Sequence, residues 1–121
     1  MSTIKADTVQ NTSGGPVTLT QQSAVKHFIR FIGTGTVAIR DSLSASSLTD
    51  NGTGNYTIAI TNSLTDANYC LLIAEGDWRC VAPIDEAAIT TSDYDLFSRA
   101  PSNASALDSA VNSVAIHGDL A

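Results

Sequence analysis

The chain predicts an all-β domain, an antiparallel β-sandwich of jelly-roll-like type with a short extended N-terminal arm, and three observations predict it. Short stretches alternate apolar and polar residues with a period of two, as in Tyr56, Ile58 and Ile60 set against Thr57 and Ala59. Clusters of Gly, Ser, Thr and Asn separate these stretches, the clearest being Asn51-Gly52-Thr53-Gly54. The segments number about seven to nine, each bringing two or three apolar side chains, and only two facing sheets bury them all.

The elements follow in order. Residues 1–15 are polar, with Ile4 and Val9 their only large aliphatics, and they close on the turn-prone NTSGG. They read as an arm or attachment segment, with Ile4, Lys5 and Val9 as its contact residues, and 16–121 reads as the β-sandwich domain. An arm of this composition is held by a neighbour more than by its own fold. Residues 16–20 (PVTLT) suit a strand with Val17 and Leu19 on one face.

Residues 21–32 fit two templates. Val25, Phe28, Ile29 and Ile32 make a helical stripe, while His27, Ile29 and Phe31 oppose Lys26, Phe28 and Arg30 in a strand. The strand is preferred, because the segment is short and its surroundings are β. After the Gly33-Thr34-Gly35 turn, residues 36–40 form a strand with Val37 and Ile39 together, and 41–45 form a connection. Residues 46–50 and 55–61 flank the central turn as a hairpin. Residues 69–74, almost wholly apolar, read as a strand central in its sheet. Residues 78–82 return as a strand that stops at Pro83. Residues 84–88 allow one helical turn. Residues 94–99 set Tyr94, Leu96 and Ser98 against Asp95 and Phe97, 101–108 form a loop, and 111–117 are the last strand.

Composition narrows the function classes. Apolar residues make up 43% of the 121, which supports one packed domain and excludes a disordered chain. The net charge of −6 and the scattered basic residues argue against nucleic acid, which needs clustered Lys and Arg. No run approaches the ~18 apolar residues of a membrane span, so no membrane insertion is expected. The polar start shows no signal peptide, which points to synthesis in a cytoplasm. Cys70 and Cys80 read as two buried thiols in preference to a disulfide.

The chain shows no pattern of catalytic chemistry, and no enzyme activity, metal or cofactor is expected. Gly33-Thr34-Gly35 lacks the Lys-Ser/Thr of a phosphate loop. His27 and His117 have no ligand spacing and read as packed or surface strand residues. Asp50, Asn51 and Asp66 sit near turns without a calcium-loop pattern. Among the aromatics, Tyr56 and Tyr69 follow strand alternation into the core. Trp78, after Gly76-Asp77, is the best candidate for an exposed aromatic, suited to a sugar ring or to a protein interface.

Three pieces of the chain carry a resemblance. They are Ile4-Lys5-Ala6-Asp7-Thr8-Val9-Gln10 with NTSGGPVTL, then GTGTVAIRDSLSASSLTDNGTGNYTIAI, and finally VNSVAIHG. The middle piece includes Ala45-Ser46-Ser47-Leu48-Thr49-Asp50-Asn51-Gly52-Thr53-Gly54-Asn55-Tyr56-Thr57, which resembles a turn motif that opens β-sandwich domains in virion proteins, with Ala45 where that motif has Asn. The chain resembles small tail-fibre or virion-surface proteins of marine and cyanobacterial tailed phages. The resemblance implies a homo-oligomer, a trimer by preference, bound to other virion proteins on the tail or particle surface. It implies a tail-fibre or knob subunit with a role at the host receptor, a glycan or a protein; the alternative is a capsid decoration or cement protein or a head-fibre component, and behind both stands a carbohydrate-binding module. The loop residues expected to meet a receptor or partner are Asp50, Asn51, Asn55, Asp66, Asn68, Ser102 and Asn103, with Trp78.

Overall fold

The structure, a computed structural model, describes residues 12–15, 24–76, 80–83 and 86–119. Ile4, Lys5 and Val9 of the arm, the 16–20 strand and Trp78 lie outside the described residues. The described elements are β1 (Val25–Ile32), β2 (Ala38–Leu43), β3 (Ala45–Gly52), β4 (Asn55–Ile60), β5 (Cys70–Glu75), β6 (Cys80–Pro83), one 3-10 turn (Glu86–Ala88), β7 (Asp93–Arg99) and β8 (Asn112–His117).

They form two four-stranded sheets, sheet A in the order β2-β1-β8-β5 and sheet B in the order β3-β4-β7-β6. Every neighbouring pair is antiparallel. The chain changes sheet at Ser44, between β4 and β5, between β5 and β6, and between β7 and β8. The first and last described strands, β1 and β8, therefore sit side by side at the centre of sheet A.

Alternation decides what is buried. In β1, His27, Ile29 and Phe31 point inward, and Lys26, Phe28 and Arg30 point out. This is the strand reading of residues 25–32; the helical stripe is a coincidence of spacing in a segment with apolar residues on both faces. Tyr56, Ile58 and Ile60 of β4, Tyr94 and Leu96 of β7, and Val114 and Ile116 of β8 point inward in the same way. With Ile29, Phe31 and Leu64 of the β4–β5 loop they form one core between the sheets. Each such side chain contributes about 1.5–3 kcal/mol on burial. Among the described residues, the fully buried core positions within strands come from the two central strands of each sheet, so β2, β3 and β5 are left more exposed.

Three expectations are corrected. Residues 41–45 are not a connection: Asp41–Leu43 continue β2, Ala45 opens β3, and Ser44 alone turns the corner with φ 59°. The polar residues of β2 hide the strand, since all six of its residues are exposed and nothing selects alternation. Second, among the described strands β5 lies at the edge of sheet A, not at its centre. Leu71 and Ile73 face the core, while Leu72 is 53% exposed on the outer face. Third, Cys70 is not a buried thiol but free and exposed, because it shares that outer face with Leu72. The backbone of Cys80 pairs with Arg99 in the other sheet.

Candidate functional site

The turn residues expected to make contacts divide between the two ends of the strands. At one end, the β3–β4 turn lies against the β7–β8 loop. Gly54 N donates to Asp108 Oδ1 at 2.7 Å, the Tyr56 hydroxyl donates to the same oxygen at 2.8 Å, and Ser98 N donates to Gly54 O at 2.8 Å. Gly54 has φ 63°, and a Cβ there would meet Ser98 O and Leu107 backbone. Glycine is required on both counts. Asp50, Asn51, Asn55, Ser102 and Asn103 belong to this end.

Most of these side chains organise their own loops. Asp50 Oδ1 accepts from Gly52 N at 2.9 Å, and Asn103 Oδ1 accepts from Ser105 N at 3.1 Å. These are local Asx-type caps. Asn51 Nδ2 donates to Thr57 Oγ1 at 2.7 Å, and Thr57 donates in turn to Asp95 Oδ1. Asn55 differs, for its buried Oδ1 has no hydrogen-bond partner. Ser102 is exposed.

Asp66 and Asn68 lie at the opposite end. Asn68 N donates to Asp66 Oδ1 at 2.7 Å, and Thr65 N donates to Asp119 O at 2.8 Å. With Tyr69 and Gly118 they line a hollow of about 180 Å³. Burial, with the nearby Asp93 charge adding to it, pushes the Tyr69 hydroxyl up to about 12. Tyr69 donates to Thr90 O at 2.9 Å, so it serves the fold. One contact surface therefore does not include both groups of loop residues.

The feature that sequence reasoning missed is the outer face of sheet A. Cross-strand partners share a face, and the registers place Leu43 beside Phe28, Phe28 beside Ala115, and Ala115 beside Leu72. An apolar row thus crosses all four strands. The next row contains Asp41, Arg30, Ser113 and Ala74. The small residues of β8 leave an open depression of about 430 Å³ between Phe28 and Arg30 on one side and Leu72 on the other. Leu43 is 47% exposed. The signal was present in the sequence: Phe28-Ile29 and Leu71-Leu72-Ile73-Ala74 are apolar on consecutive positions, as in strands covered on both faces.

The outer face of sheet B contrasts with it. Thr49 lies opposite Thr57, Thr57 opposite Asp95 and Ala59 opposite Asp93. At the end of β7, the Arg99 guanidinium sits 4.6 Å from the centre of the Phe97 ring. Among its described residues this face carries threonines and two carboxylates, with Ala59 and Phe97 its apolar members.

Titratable groups with large perturbations are structural. His27 is fully buried, and burial lowers its pKa against the opposing effect of its bond to the Ser44 backbone. Burial raises the Tyr94 hydroxyl strongly, and it also raises Tyr56, with Asp108 adding to the effect there. Among the described residues no group of three His, Cys, Asp or Glu is placed to hold a metal ion. No described helix is long and apolar enough to cross a membrane. In comparison with known proteins, no family model matches the chain, and no curated protein or solved structure shows significant similarity to it.

Proposed function

We propose that this chain is a structural subunit of a tailed-phage particle, a tail-fibre or tail-associated knob that self-associates and joins other virion proteins. Its two sheets form a β-sandwich of jelly-roll-like type, and it acts as a binding surface, not as an enzyme. The observation that carries this reading is the apolar row Leu43, Phe28, Ala115 and Leu72 on the outer face of a folded sheet, exposed at Leu43 and Leu72 and half-buried at Phe28 and Ala115. Contiguous apolar surface on a folded domain marks an interface. The exposed loop residues at the Gly54 end, Asp50, Asn51, Ser102 and Asn103, are the receptor-facing group in this reading.

Capsid decoration is the second reading, and one observation favours it. The two outer faces differ in polarity, which suits a plate that lays sheet A on a shell and turns sheet B to solvent. Gold-labelled antibody on intact particles tests both. Label on the tail or its appendages supports the fibre subunit, label over the head supports decoration, and unlabelled particles overturn the virion reading.

A further inference from the structure

The charges of the two outer faces are unequal in sign. Of the described basic residues, Lys26 and Arg30 lie on the outer face of β1, Arg40 is exposed in the neighbouring β2, and only Arg99 lies in sheet B. Asp41, opposite Arg30, is the acidic member of the sheet A face. On sheet B, Asp93 and Asp95 alternate with the buried Tyr94 and Leu96 and therefore face outward. Among the described residues, two of the four cations, Lys26 and Arg30, lie on the face that also carries the apolar row.

We infer that the outer face of sheet A docks on the outer face of sheet B of a second copy. The inference rests on the reading of the chain as a self-associating subunit, and it specifies which surfaces meet. Charge complementarity selects the partner face. Stacking sheet A on itself brings Lys26 and Arg30 towards the same two cations, with Asp41 the one described carboxylate to offset them, and like charges in contact are costly. Stacking it on sheet B brings them towards Asp93 and Asp95, against the single described cation Arg99 at the end of β7, while the apolar row meets Ala59, the Thr57 methyl and the Phe97 ring beside that guanidinium. Such a contact uses two different patches, so each copy keeps one of each free. It closes into a ring or continues as a filament, and it does not stop at a two-fold dimer.

Charge exchange tests this on the full chain. Arg30→Glu alters the sheet A face. Thr49→Lys adds a cation beside Thr57 on the sheet B face and removes none of the hydrogen bonds described above. Asp95→Lys is a second variant of that face, with far-UV circular dichroism to establish that each variant is folded. Sedimentation velocity is expected to show each single variant self-associating at least about tenfold more weakly than the wild type, with an equimolar mixture of Arg30→Glu and Thr49→Lys restoring assembly. Loss of assembly in Arg30→Glu but not in folded Thr49→Lys or Asp95→Lys would mean that sheet A packs on itself and would overturn the inference. Wild-type assembly indifferent to all three variants would overturn it too, while leaving self-association intact. A monomeric wild type would remove both self-association and this contact, with the virion assignment still judged by particle labelling.

Discussion

His27 of sheet A and Tyr94 of sheet B join the two sheets through a buried hydrogen bond of 2.8 Å between Nε2 and the phenol oxygen. Their rings meet edge to face, with centroids 5.6 Å apart and an interplanar angle of 84°. The other ring nitrogen lies 3.1 Å from Ser44 O. A carbonyl only accepts, so Nδ1 carries the proton and Nε2 accepts from the Tyr94 hydroxyl. The same Ser44 carbonyl accepts from Thr61 N at 2.8 Å. One corner residue, one imidazole and one phenol thus tie β1, β7 and the β2–β3 crossing together.

This arrangement makes stability depend on pH. Burial lowers the pKa of His27 below its ordinary 6.5. The unfolded chain then binds a proton before the folded one does. The contribution of neutral His27 is present in full above pH ~6.5 and falls as pH drops from there through the folded pKa. Urea midpoints measured between pH 7.5 and pH 5, a window marked out by the ordinary histidine and carboxylate ranges, are expected to fall in the wild type. In His27→Gln the curve is expected to be flatter. Equal slopes for the two proteins would contradict the assignment.

Tyr94→Phe removes the donor to Nε2 and leaves a buried acceptor unmatched. The expected cost is about 1–3 kcal/mol, read from urea unfolding at pH 7.5. A change below about 0.5 kcal/mol, the level of an ordinary surface substitution, would mean that the bond contributes nothing net.

Gly54 and Gly35 offer a controlled comparison. Both have positive φ, 63° and 69°, but a Cβ at Gly35 meets open space whereas one at Gly54 enters backbone. Gly35→Ala is expected to cost about 1 kcal/mol from backbone conformation alone. Gly54→Ala is expected to cost more, about 3 kcal/mol. Thermal melts of the two variants check the order, and equal losses would show that the close approach is relieved cheaply.

Asp108 accepts from both Gly54 N and Tyr56 OH, holding the hairpin turn against the β7–β8 loop. Asp108→Ala leaves both donors without this acceptor, and an expected loss of about 2–3 kcal/mol follows. Amide hydrogen exchange at Gly54 should accelerate more than exchange at Ile58 in the core. Uniform acceleration across the chain would place the effect elsewhere.

Much of the fold was legible in local patterns. Tyr56-Ile58-Ile60 and Tyr94-Leu96-Ser98 alternate cleanly, because β4 and β7 each turn one face to the core and one to solvent. The Gly52-Thr53-Gly54 reversal was legible for the same local reason. What escaped depends on neighbours distant in sequence. Asp41 and Ser42 read as a connection because an exposed edge strand is under no pressure to alternate. Leu72 read as central because its apolar run resembles a strand covered on both sides, while in the folded chain only one side is covered. The candidate surface was hidden for that reason: Leu43, Phe28, Ala115 and Leu72 become a row only through the registers of three strand pairs. The loop residues were found, but that Asp66 and Asn68 lie at the far end from Asp50 follows from the connections and not from composition.

The pairing of β1 with β8 sets Val25 beside His117, near the two limits of the described domain. Sheet A therefore lacks one of its two central strands until the segment through His117 has left the ribosome. Until then the inward residues of β1 and β5 have no β8 to separate them, and the contacts that complete the core join strands far apart in sequence. Such high contact order places folding in the slow range of small domains. Truncation before β8 removes the strand that joins β1 to β5 and exposes both, so nascent chains released early are expected to aggregate instead of folding in part.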